Sequence, residues 1–212
     1  MTSHRPHAIE SPGRKRFSAK LLALFALIAS PAFAHPGVGE TAGMAQGLLH
    51  PLGGSDHVLA MVGVGLLAWM LRGRALWALP ATFVGMMSLA AVVTAMRLPT
   101  PLVELGIALS VLGIGLLLAR GKQAPLAFTL MLVAVFAGFH GQAHADAMPA
   151  DASGLAYGLG FAATTAVLHL SGVLAGFGLA RLADLRALVL VRASGLAMSM
   201  AGVLWVAASI AT

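Results

Sequence analysis

Two short clusters hold nearly all the chemistry available to this chain: His50-Pro51-Leu52-Gly53-Gly54-Ser55-Asp56-His57 and His140-Gly141-Gln142-Ala143-His144-Ala145-Asp146. Both lie at the ends of apolar stretches, where an ionisable group is costly unless it is paired, neutralised or bound to a metal. Imidazole and carboxylate together suit nickel, cobalt, zinc or copper(II), whereas an all-oxygen site would suit magnesium or calcium. His140 and His144 stand at i and i+4, so both rings leave one helix face toward the same point, a spacing that chelates metals. His57 and Met61 share a face in the same way, and Met61 is read as core packing. The chain has no cysteine, which excludes disulfides, thiolate zinc sites and iron–sulfur clusters.

Further candidates follow from their position relative to these clusters. Glu104 opens an apolar stretch at the same depth, and Asp146 follows His144. Either carboxylate could be a direct ligand, or an acceptor that fixes the tautomer of a ligating ring. His169 lies deeper in its stretch, with Thr165 one turn before it, as a further polar station along an inward path. A neutral histidine bonded to a carbonyl is the plain alternative for any one of these rings. Four histidines with Asp56 and Glu104 at one depth weigh against it.

The elements that position these groups must be membrane helices. Over 212 residues, 59% are hydrophobic and 9% charged, with a mean hydropathy of +0.91, which does not suit a water-facing surface. The net charge of +6 does not imply nucleic acid, because five of the thirteen basic residues precede position 21. Arg14, Lys15, Arg16 and Lys20, the apolar run Leu21 to Ile28, and Ala32-Phe33-Ala34 have the order of a cleavable signal peptide, residues 1–34. Cleavage there would leave a transmembrane transport domain, residues 35–212, that begins at His35. Its imidazole and freed α-amine could chelate a metal together.

Spanning about 30 Å of hydrocarbon takes about twenty apolar helical residues. Six spans are expected, approximately Gly54–Leu71, Ala75–Met96, Leu102–Ala119, Ala124–Gly141, Ser153–Ala180 and Ala187–Ile210. The short connections favour one all-α bundle. Pro51 predicts a break at His50, with Ser55 capping the next helix and residues 40–49 forming a separate half-helix. Broken backbone at membrane depth suits a binding site. Arg72, Arg74, Arg120, Lys122, Arg181, Arg186 and Arg192 fall on one side, expected to be cytoplasmic, which makes the mature N-terminus periplasmic in a bacterial inner membrane. Tyr157, Trp205, Trp69 and Trp77 are expected in interfacial belts.

The segment His50-Pro-Leu-Gly-Gly-Ser-Asp56-His57-Val-Leu-Ala-Met61 resembles the HPxxGxDHxLAM signature of the HupE/UreJ family of nickel permeases, and Phe139-His140-Gly141-Gln142-Ala143-His144 resembles its His-rich second motif. Ala34-His35-Pro36-Gly37 and Leu168-His169-Leu170-Ser171-Gly172 match the family's layout, while Gln142, Ala145 and Asp146 depart from the usual second motif. The resemblance implies an inner-membrane transporter of nickel, or cobalt, that supplies metalloenzymes such as hydrogenase or urease. No permanently bound cofactor is expected beyond the transported ion, and the partners are that ion and the lipid bilayer, without nucleic acid. No GxxxxGK[ST] phosphate loop is present, so no ATPase activity of its own is expected and the chain is read as a non-enzyme. The rival readings are an intramembrane metal-dependent hydrolase with Asp56 or Glu104 as general base, and a haem-binding electron carrier.

Overall fold

The computed structural model describes residues 40–95, 102–121, 124–150, 152–183 and 186–211, all within the unit His35–Thr212. The expected signal peptide and His35 lie outside them. The described residues form helices with no strand: α1 Glu40–Gly53, α2 Ser55–Leu71, α3 Ala75–Ala95, α4 Val103–Arg120, α5 Leu126–Asp146, α6 Gly154–Ala183 and α7 Arg186–Ala211. A backbone in hydrocarbon must satisfy its own hydrogen bonds, and runs this apolar can do so only as helices. Five of them, α3 to α7, are long and apolar enough to cross a membrane. The pair α1 and α2 passes the same test together, bent by 83° at the break. At 30 residues α6 is about 45 Å long, so it fits an ordinary bilayer only when tilted.

The break comes four residues later than Pro51 suggests. α1 runs through His50 and Pro51 to Gly53, and Gly54 is the N-cap of α2 with φ −109° and no side-chain cap bond, so Ser55 is the first helical residue and not the cap. Pro51 sits buried in the last turn, where it has no N–H to give the Gly47 carbonyl, so the helix runs through it at the cost of one i→i−4 bond. Packing of α1 on α6 also holds the helix: Gly47 lies so close to the Tyr157 carbonyl that no Cβ would fit, and Thr164 donates to the Leu48 carbonyl at 2.8 Å.

Helix α2 is the hub and touches every other helix. Every residue from Gly63 to Met70 is buried. Around it, α4 packs most closely on α7, α3 on α5, and α6 on both α1 and α2. Small residues set these approaches, as expected where lipid offers no hydrophobic drive and contact must be close. A Cβ on Gly65 would strike the His169 carbonyl, and one on Gly172 would strike the Val62 carbonyl. On the lipid-facing side, α7 turns Val189, Met200 and Leu204 outward.

The connections carrying Arg72, Arg74 and Arg120 gather at one end. The α2–α3 and α4–α5 connections line one crevice with Arg72, Arg74 and Pro125, and Arg192 donates to the Ala119 carbonyl at 3.0 Å. Of the four residues expected in belts, Trp77 is exposed and Trp205 half-buried, but Trp69 and Tyr157 are buried. Trp69 is packed against Gly176 beneath the Arg72 guanidinium, 4.6 Å from its ring centre. Helix-end position gives depth in the bilayer but not which face a ring takes.

Candidate metal centre

The Gly54 break puts two ligand-type side chains on opposite sides of a bend, His50 in the last turn of α1 and His57 in the first turn of α2. The last two turns of α5 bring His140 and His144 up to them. Ring centres stand 4.9 Å apart for His50 and His144, 4.7 Å for His57 and His140, and 5.2 Å for His57 and His144. A bound divalent ion lies about 2.1 Å from an imidazole nitrogen, so two rings sharing it have centres about 4.5–5.2 Å apart at angles of about 90–110°. These three pairs meet that separation, whereas His50 and His57, at 6.2 Å, do not. The rings cross edge to face, and among the described residues no three His, Asp or Glu side chains are turned to hold one ion together.

Each ring has its own support. Asp56 Oδ1 accepts from the His57 backbone N–H at 2.8 Å and lies 3.0 Å from His57 Nδ1. The opposite ring nitrogen, Nε2, is buried without a hydrogen-bond partner. His140 Nε2 lies 3.0 Å from Ser110 Oγ on α4, while its Nδ1 is buried and unpartnered. His144 stacks on Phe161 at 4.7 Å with both ring nitrogens bare and buried, and Tyr157 stands 6.1 Å from the His50 ring. Buried polar atoms normally find partners, so this many bare ring nitrogens in one place is unusual for a structural core. Exposure falls inward: the Asp56 side chain is 27% exposed and that of His57 12%, whereas His140 and His144 are fully buried.

His169 lies behind this group on α6, buried, with neither ring nitrogen partnered. The fully buried ring of Phe83 on α3 stands between the two levels, 5.3 Å from His140 and 5.0 Å from His169. One turn outward, Thr165 reaches Met87 Sδ at 3.8 Å.

The two other carboxylates do not join the rings. Glu104 is exposed in the first turn of α4 and Asp146 is exposed at the end of α5. Among the described residues no hydrogen bond or ion pair links either to the histidines. Both share the cluster's depth, but Asp146 is about 200° around the helix from His144. Met61 is fully buried in the core, as expected for packing. Sequence reading missed Ser110, Phe83, Phe161 and Tyr157 as parts of the site. Only Ser110, a hydroxyl inside an apolar helix, carried a signal that could have found it. The hydrolase reading lacks support, since Glu104 stands away from the rings and Asp56 is engaged by His57.

The family model described as "HupE / UreJ protein" matches residues 22–205. The chain is similar to Protein HupE of Rhizobium leguminosarum bv. viciae, 38% identical over 186 residues that cover 87% of this chain and 95% of that protein. No solved structure matches. With the match running through both histidine clusters and across nearly all of the helical bundle, the chain belongs to the HupE/UreJ family.

Proposed function

We propose that the chain is a permease that carries a divalent transition-metal ion, nickel first and cobalt second, from the periplasm across the bacterial inner membrane to the cytoplasm. The observation that carries this reading is the convergence of four histidine rings from α1, α2 and α5, of which His57, His140 and His144 have bare, buried ring nitrogens. Residues 1–34 act as the export signal and residues 35–212 as the transport domain, with His35 at the freed N-terminus as an additional donor. The gathering of basic residues at one end supports a cytoplasmic assignment for that end.

In this mechanism the hydrated ion exchanges part of its water shell for His50, His57, His140 and His144. The Asp56 carboxylate offsets its charge through the His57 ring. Glu104 and Asp146, exposed at the same level, raise the local cation concentration. The ion then passes Phe83 to His169 and leaves inward. Inward movement gains about 4.6 kcal/mol for a divalent ion per 100 mV of membrane potential, so transport needs no nucleotide hydrolysis by this chain. Imidazole donors alone would favour copper over nickel, so selection rests on site geometry or on metal supply.

The test is uptake of radioactive nickel into liposomes, comparing wild type with Asp56→Ala and His57→Ala. Both variants are expected to insert normally and to lose uptake. Wild-type rates in both would sink the reading, and competition by cobalt, zinc or copper ranks the metals.

A further inference from the structure

We propose that Ser110 is a positioning residue that decides which nitrogen of His140 faces the cargo ion, an inference that rests on the four-histidine reading above. The argument is a count of protons. Ser110 Oγ is 2.6 Å from the Ile107 carbonyl oxygen and 3.0 Å from His140 Nε2. A carbonyl has no proton to give, so the hydroxyl donates its single proton to Ile107. Its oxygen can then only accept, and His140 Nε2 must be the N–H donor. A neutral imidazole carries one N–H, which leaves the lone pair of His140 on Nδ1, the atom that is buried without a partner.

His57 is set the opposite way. Asp56 Oδ1 can only accept from Nδ1–H at 3.0 Å, which leaves the lone pair on Nε2, also buried and unpartnered. The two rings, 4.7 Å apart and crossed at 81°, thus have one fixed tautomer each, and the fixing groups sit on different helices. Ser110 and Asp56 each hold their ring by one nitrogen and leave the other, buried and without a partner, to carry the lone pair. Sequence reading offers Glu104 and Asp146 for such a role, whereas the structure puts Asp56 and Ser110 against the rings, Ser110 from thirty residues away.

The experiment uses the full chain with 15N-labelled histidine in lipid nanodiscs, without metal, and the His140 resonances are identified by their loss in His140→Gln. The expected wild-type spectrum has His140 as the Nε2–H tautomer. Ser110→Ala should shift it toward Nδ1–H, and Ser110→Thr, which keeps a hydroxyl able to bond the Ile107 carbonyl, should restore it. Titration with Ni2+ alone should then show about tenfold weaker binding in Ser110→Ala, as for loss of a group behind a metal ligand, with recovery in Ser110→Thr. A wild-type Nδ1–H tautomer, or unchanged nickel affinity in Ser110→Ala, overturns the proposal. Wild-type protein that shows the Nε2–H tautomer but binds no nickel overturns the transport reading instead and leaves the Ser110–His140 bond standing.

Discussion

Around the Gly54 break four histidine rings converge edge to face, and His57, His140 and His144 have ring nitrogens that lack partners among the described residues, whereas about three turns further along α2 its backbone meets that of α6 at Gly65 and Gly172. The outer region is polar, partly exposed and held by single hydrogen bonds to Asp56 and Ser110. The inner region is apolar and close-packed from Val64 to Met70, with Leu79, Phe83 and Leu118 against it. Rotation of a ring is cheap in the first and costly to accommodate in the second. The difference teaches that this conformation leaves the histidine cluster partly open at Asp56 and His57 and close-packs the apolar segment beyond it.

The largest expected effect comes from breaking the seal. In Gly65→Ala the new Cβ would meet the His169 carbonyl, backbone that cannot step aside, so stability should fall by about 3 kcal/mol. Gly85→Ala, where nothing lies within 4 Å, should instead gain about 0.5–1 kcal/mol from helix propensity. Thermal unfolding in detergent compares the two, and equal melting temperatures would show that the inner contact is looser than described.

A smaller effect separates ligands from bystanders in the outer region. His140→Ala should lower nickel affinity by about 100-fold or more, beyond the 10–100-fold typical of losing a group behind a ligand. Glu104→Gln, exposed and unlinked to the rings, should stay within about twofold at physiological salt, where exposed charges are screened. Calorimetric titration reads both, and a large loss in Glu104→Gln would move the site toward α4. The smallest effect is expected at the boundary between regions. Phe83→Leu keeps an apolar filler at a cost of about 1 kcal/mol, leaves nickel affinity unchanged and raises uptake by thinning the barrier before His169. Unchanged uptake would mean that the ring does not control passage.

Much of the architecture could be read from the chain because a bilayer imposes a length on apolar runs. The spans from Ala75 onward begin and end within three residues of the observed helices, except that α5 runs five residues past the expected end at Gly141, and the i, i+4 pair on α5 follows from helix pitch alone. Depth was legible for the same reason: His50, His57, His140 and His144 all end apolar runs on one side. What the sequence could not give was the rotation of each helix about its axis. Glu104 and Asp146 share the depth of the cluster but not its face, while Phe83, Phe161 and Tyr157 face it without any local mark that separates them from other apolar residues. Pro51 shows a related limit. Its local preference favours an earlier break, but the contact of Gly47 with α6 and the Thr164–Leu48 bond hold the last turn helical.

Under the proposed permease reading, the 83° angle between α1 and α2 has a mechanical consequence. His50 and His57 ride on separate arms of that elbow with ring centres 6.2 Å apart, so a cation held by both would have to draw the rings together and would then brace the bend. With such a brace in place neither arm could swing without giving up a bond, and departure of the ion would release both. Unloading and helix movement would then be a single event.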